Sequence, residues 1–238
     1  MPTKLSPDAQ KIAKQFEEFA YVVSHDLSTP LRGIVEFSKL LKTEEKAALS
    51  EEGKEYLSLI IESGEKMQAM LLGLLDFSRL NTMSKPFRKV DCNRVLEDCR
   101  VVLESQIKTS KARLDIDPLP SITADAEQLM QIFLLLLDNA LKFYPAKKPP
   151  QVKVSAKKLA GALAFIVRDN GIGIDPEFHQ QIFQPFQRLH TDDEYPGIGM
   201  GLTLARKIVE RHGGSIKVDS SVGKGASFIF TLPDKEED

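Results

Sequence analysis

A proline inside a helical pattern, about one and a half turns after a histidine–aspartate pair, constrains this chain more than any other feature. Residues 19–41 read FAYVVSHDLSTPLRGIVEFSKLL. Apolar residues recur at Phe16, Phe19, Val23, Leu27, Leu31, Ile34, Phe37 and Leu41. Spacings of three and four predict the seam of a long helix packed on partner helices. His25, Asp26 and Thr29 fall beside or off that seam. Pro30 removes a backbone hydrogen bond and bends the axis, so it is expected to loosen the helix just beyond His25.

From about residue 7 to residue 80 the pattern predicts two helices. The first ends near Lys42, and the charged stretch 43–53 forms a turn in which Ser50-Glu51-Glu52-Gly53 starts the second, reaching about residue 81. Two antiparallel helices with one apolar stripe each cannot bury both faces alone, so a dimeric four-helix bundle is expected; the alternative is a hairpin packed on the C-terminal half. The polar, proline-ended run Asn81-Thr-Met-Ser-Lys-Pro86 marks a boundary. The expected division is 1–81, a linker at 82–86, and 87–238.

Beyond the linker the pattern mixes strands and helices. Short strands are expected at 87–90, 113–116 and 121–123, a helix capped by Asp91 to about residue 110, and a second helix at 124–143. A hairpin at 152–159 and 162–168, a helix at 200–211, and strands at 215–220 and 226–232 follow, giving an α+β two-layer sandwich with helices on one face. The net charge of −2 offers no basic footprint for nucleic acid. No run of eighteen apolar residues predicts a membrane span, and the first residues, MPTKLSPDAQK, lack a signal-peptide profile. Cys92 and Cys99, two turns apart on one helix, lie beyond disulfide reach and read as reduced core thiols of a cytoplasmic protein.

Four motifs carry chemistry. Asp138-Asn139-Ala140-Leu141-Lys142-Phe143-Tyr144 ends an apolar helix. Asn139 offers an oxygen to a hard cation, and Lys142, about one turn on, reaches a phosphate. Asp169-Asn170-Gly171-Ile172-Gly173 follows an apolar strand; an acid there can accept a hydrogen bond from an exocyclic amine, and the glycines admit a flat ligand. Phe183-Gln-Pro-Phe186 reads as core or as the hinge of a polar lid at 189–195, in which His190 is expected to be solvated. Gly197-Ile198-Gly199-Met200-Gly201-Leu202 leads into a helix, where backbone N–H groups and the helix dipole favour an anion. It matches neither the dinucleotide fingerprint nor a Walker loop.

In this order the motifs resemble the transmitter core of a two-component sensor histidine kinase, across nearly the whole chain. Residues from about 16 to 81 resemble the dimerisation and histidine-phosphotransfer domain. Those from about 85 to 233 resemble the Bergerat-type ATP-binding domain shared with gyrase, Hsp90 and MutL. The SHDLSTPLR stretch is most similar to phytochrome-type and PAS-linked members, with no sensor domain expected in this chain. The resemblance implies His25 as phospho-acceptor, Asp26 as adjacent general base, and Thr29 as the residue that orients water in phosphatase action. It implies ATP and Mg²⁺ as cofactors, with Asn139 as the metal ligand and Lys142 facing phosphate beside Tyr144. Asp169 would read adenine, with Gly171 and Gly173 beside it, and Gly197, Gly199 and Gly201, followed by Leu202, would form the lid-side phosphate loop. The implied partners are a second copy of the chain, a response-regulator receiver domain and an upstream sensor. Leu135 departs from the family: it stands four residues before Asn139, where a polar residue is frequent, and implies weaker or differently hydrated Mg²⁺ binding. A weakly catalytic dimeric scaffold and a conformational ATPase are the alternatives.

Overall fold

The computed structural model describes residues 7–46, 48–80, 85–145, 148–191 and 194–234, with side chains from Ala20 onward. The chain divides into two compact units, Met1–Thr82 and Met83–Asp238.

The first unit is a helical hairpin of α1 (Pro7–Glu44) and α2 (Glu51–Arg79). Ser50 caps α2 by accepting a hydrogen bond from the Gly53 N–H at 3.1 Å, and Glu51 and Glu52 complement the positive end of the dipole. Pro30 does not interrupt α1, which continues as one helix to Glu44. The helices touch through a stripe that the apolar periodicity picked out only in part. Ala20, Ser24, Leu31, Val35 and Ser38 of α1 are buried, with Gly64, Gly73, Leu75 and Ser78 of α2. Small residues bring the backbones together: a Cβ on Gly64 would lie 2.4 Å from Val35 Cγ2, inside any tolerable contact. Lys39 bridges to Glu65 at 2.9 Å and Lys42 donates to Ser58 Oγ at 2.8 Å. The expected seam therefore separates into two. Leu31 faces the hairpin, whereas Leu27, Ile34, Phe37 and Leu41 stay outside it, at 51%, 54%, 69% and 50% exposed.

The second unit is the two-layer sandwich. Strands β1 (Arg88–Asp91), β2 (Arg113–Ile116), β3 (Ser121–Ala124), β4 (Gln151–Leu159), β5 (Ala162–Asp169), β6 (Ser215–Ser220) and β7 (Ala226–Pro233) form two sheets. β1 pairs antiparallel with β3 apart from the main sheet, whose order is β2-β4-β5-β7-β6. Only β2 and β4 run parallel in the main sheet. Strict alternation along β7 buries Ala226, Phe228, Phe230 and Leu232 on one face. Helices α3 (Cys92–Val102), α4 (Glu104–Ser110), α5 (Ala126–Lys142) and α6 (Gly201–Arg211) complete the unit. The helix expected to run from Asp91 to residue 110 is broken at Leu103, whose buried side chain and non-helical backbone (φ −91°, ψ 6°) separate α3 from α4.

The core is centred on Phe133 of α5, which meets Phe165 of β5 and Phe230 of β7 edge-on at 5.8 and 5.4 Å, while the two strand rings stack at 5.0 Å. α5 is started by Asp125, 1% exposed, whose carboxylate accepts from the Glu127 and Gln128 N–H groups. The Lys85 N–H donates to the same carboxylate at 2.7 Å, and Arg211 stands 3.7 Å away. The segment entering the unit is thus tied to the start of α5, with Phe87 stacked on the buried His212 ring at 4.5 Å. Cys92 and Cys99 are buried and free, and burial pushes both thiols up to about 12.

Candidate active site

Helical geometry aligns Leu135, Asp138, Asn139 and Lys142 on one face of α5, at spacings of three and four. They form one wall of a cavity of about 480 Å³, within the roughly 300–1,000 Å³ usual for small-molecule sites. Asp169 at the end of β5, Ile172, Gly173 and Ile174 after it, and Ala226 and Phe228 of β7 supply the floor. Residues 187–190 and 195–200, with the start of α6, close the rest. Asn139, Lys142, Asp169, Gly173, Gly197, Gly199, Gly201 and Leu202 are all brought to this cavity.

Each polar group has a local cause for its position. The Asp169 carboxylate accepts from the Gly171 N–H at 2.8 Å and the Ala226 N–H at 3.0 Å, both through Oδ1. Oδ2 makes no hydrogen bond among the described residues, and is the acceptor available to a ligand. Burial raises the Asp169 carboxyl above its usual range, and the two backbone hydrogen bonds oppose that shift. Gly171 does not line the cavity itself. It lets the turn close, since a Cβ there would fall 2.3 Å from the Phe143 carbonyl and 2.8 Å from Asp169 Oδ1. The side-chain amide of Asn139 makes no hydrogen bond among the described residues, leaving its oxygen open to a cation. Lys142 Nζ lies against the lid-side loop, 2.7 Å from where a Cβ on Gly197 would sit. α6 starts at Met200–Gly201 with no side-chain cap, so its first N–H groups are open to an anion. Lys142, Gly197 and the α6 terminus therefore converge on one corner of the cavity.

Some expected residues lie elsewhere. The Tyr144 side chain is not part of the lining; its carbonyl accepts from Tyr195 Oη at 3.4 Å. His190, expected to be solvated, lines the cavity and sits 6.2 Å from the Phe143 ring and 5.3 Å from Tyr195. Its expected exposure followed from polar neighbours in sequence, and those neighbours did not reveal that Phe143 and Tyr195 would meet at 4.9 Å across the site. Gln106, Gln187 and Arg188 also reach the cavity; the last two close the Phe183–Arg188 motif, and the sequence assigned none of the three a binding role. Phe183 is buried, while Phe186 is 41% exposed with a left-handed backbone, φ 59°; the first is core, and the second is a strained residue of the kind that collects near ligand sites. Leu135 presents its Cδ2 to the start of α6, 3.4 Å from a Cβ built on Gly201, and supplies no oxygen.

On the hairpin, His25 and Asp26 are both exposed, with Nδ1 3.0 Å from Asp26 Oδ1. In the tautomer in which Nδ1–H donates to Asp26, the lone pair resides on Nε2. Thr29 is exposed, one turn beyond His25. Pro30 lies in the same exposed stretch.

An exposed histidine–carboxylate couple on a helical hairpin, and a polar-lined cavity in an α/β sandwich, are the features to set beside known proteins. Residues 17–82 match the family described as the His Kinase A (phospho-acceptor) domain, and residues 124–236 match the histidine kinase-, DNA gyrase B- and HSP90-like ATPase family. The two domains of the chain thus belong to the phospho-acceptor and ATPase families of histidine kinases. Among its relatives is cyanobacterial phytochrome A of Nostoc sp., 39% identical over 97% of this chain and 30% of that protein. The phytochrome-like protein Cph1 of Synechocystis sp. is 35% identical over 97% of this chain and 31% of its own length. The chain thus spans about 30% of the curated relatives it matches. Full-length ShkA, solved in complex with AMPPNP, superposes with a TM-score of 0.67 at 28% identity, covering 92% of this chain and 46% of that one. Among the described residues, no helix is long and apolar enough to cross a membrane.

Proposed function

We propose that the chain phosphorylates itself on His25 from ATP bound in the α5–α6 cavity, and then passes the phosphoryl group to an aspartate of a response-regulator receiver domain. The observation that carries this reading is the presence, in one chain, of a histidine–carboxylate couple and a cavity holding a half-buried carboxylate, an unpaired asparagine amide and a lysine-backed glycine loop. The Nε2 lone pair forms the N–P bond as the bond from the γ-phosphorus to the bridging oxygen breaks, and its electron pair leaves on ADP. The Nδ1 proton stays on the ring, shared with Asp26, which offsets the charge that develops; such help contributes roughly 10²–10⁴ in rate. Asp169 reads the exocyclic amine of adenine, and Lys142 with the loop N–H groups of Gly197, Gly199 and Gly201 holds the phosphates. Asn139 fits the role of Mg²⁺ ligand through its amide oxygen, and the ion it would hold would supply neutralisation of the phosphate charge. Thr29 orients the water that attacks the aspartyl phosphate of the receiver domain in the phosphatase reaction, which releases inorganic phosphate and the free aspartate.

The hairpin works as a homodimer in this reading, because Leu27, Ile34, Phe37, Leu41, Tyr56 and Leu59 form an apolar stripe too large to leave in water. Free, buried thiols suit a cytoplasmic setting. Incubation with γ-labelled ATP and Mg²⁺ tests the reaction. Label lost in acid and kept in base supports a phosphohistidine; release of free phosphate alone, or no turnover, refutes the kinase reading.

A further inference from the structure

The acceptor histidine does not stand alone on its helix. Tyr21, one turn earlier on α1, stacks with the His25 ring at a centroid distance of 6.3 Å and an interplanar angle of 20°. The Arg79 guanidinium, in the last turn of α2, lies 4.9 Å from the centroid of the Tyr21 ring. We propose that Tyr21 is a positioning residue for His25, clamped by Arg79, and that the stack fixes the plane in which the imidazole presents Nε2 to the γ-phosphorus. The proposal rests on the reading of His25 as phospho-acceptor.

The need for such a device follows from the exposure of the site. The His25 and Asp26 side chains are 67% and 71% exposed, and an ion pair or hydrogen bond so open to water holds a side chain only weakly. One contact at Nδ1 also leaves the ring free to tilt about that point. A ring stacked at 6.3 Å restrains the tilt, and in-line attack is sensitive to such angular errors. Tyr21 is itself 39% exposed, so burial alone does not hold it. The guanidinium over its ring supplies the restraint and comes from the other helix of the hairpin. Asp76, one turn before Arg79, is its charged neighbour on α2: the Arg79 charge opposes the rise that desolvation gives the Asp76 carboxyl. Arg79 is the last helical residue before the link to the ATP-binding unit. A shift of that helix end is therefore passed through Tyr21 to the imidazole.

Tyr21 and Arg79 line no part of the nucleotide cavity, so their loss is expected in kcat and not in KM for ATP. The test uses the full chain with ATP and Mg²⁺. Tyr21→Leu keeps apolar bulk but removes both ring contacts, and its autophosphorylation kcat is expected to fall roughly five- to tenfold, the scale of one aromatic contact. Arg79→Gln is expected to fall by a similar factor, Tyr21→Phe to stay within about twofold of the parent, and the Tyr21→Leu/Arg79→Gln double variant to be no slower than Tyr21→Leu, because the two residues act in series. The ¹⁵N spectrum of His25 is expected to show a changed Nδ1–H to Nε2–H tautomer ratio in Tyr21→Leu, with dimer mass and helicity unchanged. Full kcat in Tyr21→Leu, an equal loss in Tyr21→Phe, or additive losses in the double variant overturn the proposal. If the parent protein is not labelled at His25, the acceptor assignment itself fails. The ¹⁵N comparison still reads the stack in that case, and an unchanged tautomer ratio refutes it independently.

Discussion

Replacing Asp169 by asparagine is expected to move binding and stability in opposite directions. Asp169 Oδ1 already accepts from the Gly171 and Ala226 N–H groups, and an asparagine carbonyl can keep both bonds. Its amide NH₂ then takes the place of Oδ2 and meets the donor amine of adenine donor-to-donor. Losing that hydrogen bond and leaving a donor unsatisfied costs about 1.5–3 kcal/mol, which is roughly ten- to more than a hundredfold in Kd. The nucleotide-free protein responds differently. Desolvation raises the Asp169 carboxyl above the usual aspartate range, so the folded state binds its proton more tightly than the unfolded chain does. Stability from this group is therefore greatest at low pH and falls as pH rises through the raised value; near pH 7 the charged form carries the full penalty. Asparagine, a neutral isostere, removes it. Calorimetric titration with ATP and a thermal melt of the ligand-free protein check both halves. Unchanged ATP affinity would remove Asp169 from the adenine site, and a large fall in the ligand-free melting temperature would show that the charge stabilises the fold.

Three further outcomes are expected. Gly64→Ala places a methyl group 2.4 Å from Val35 Cγ2 and should destabilise the hairpin by about 1–3 kcal/mol; adding Val35→Ala should recover part of the loss in the melting temperature, and equal melts for the single and double variants would contradict the contact. Desolvation lowers His212 below 6.5, while its Nε2 accepts from the Asp125 N–H at 3.2 Å and its Nδ1–H donates to the Ile208 carbonyl at 2.8 Å. A depressed histidine stabilises fully above the unfolded value and loses that contribution as pH falls through the folded one, so urea midpoints should drop on acidification below about 6.5 and His212→Gln should flatten the decline. Leu135→Asn places an amide on the Asn139 face of α5, and titration of ATP-dependent labelling with Mg²⁺ should show half-saturation at a lower metal concentration than in the parent.

How far the sequence disclosed this protein depended on whether function used periodic or local signals. Helix and strand order followed from apolar spacing and from caps such as Ser50 and Asp91, because those signals are local in the chain. The hairpin interface did not. It is made by Ala20, Ser24, Ser38 and Gly64, small residues that carry little hydrophobic weight but permit close approach, while Leu27, Ile34 and Phe37 form the outer stripe. In the nucleotide cavity the glycine and asparagine motifs announced themselves. Gln106, Arg188, His190 and Tyr195 did not, because their contribution depends on which loops the sheet brings together. The contact between Lys142 and the Gly197 loop spans 55 residues of chain (197 − 142) and has no sequence-local counterpart. Tyr21 went unmarked for a different reason: on a helix, an aromatic one turn from a histidine reads as packing until the arginine from the neighbouring helix is seen above it.

The most direct measurement is the site of phosphorylation. After incubation with γ-labelled ATP and Mg²⁺, the parent chain should carry one acid-labile, base-stable phosphate mapped to His25 by peptide sequencing under alkaline conditions, and His25→Gln should carry none while binding ATP with the affinity of the parent. Undiminished labelling of His25→Gln, or a phosphate that survives acid, would contradict the assignment of His25 as the group that receives the γ-phosphoryl.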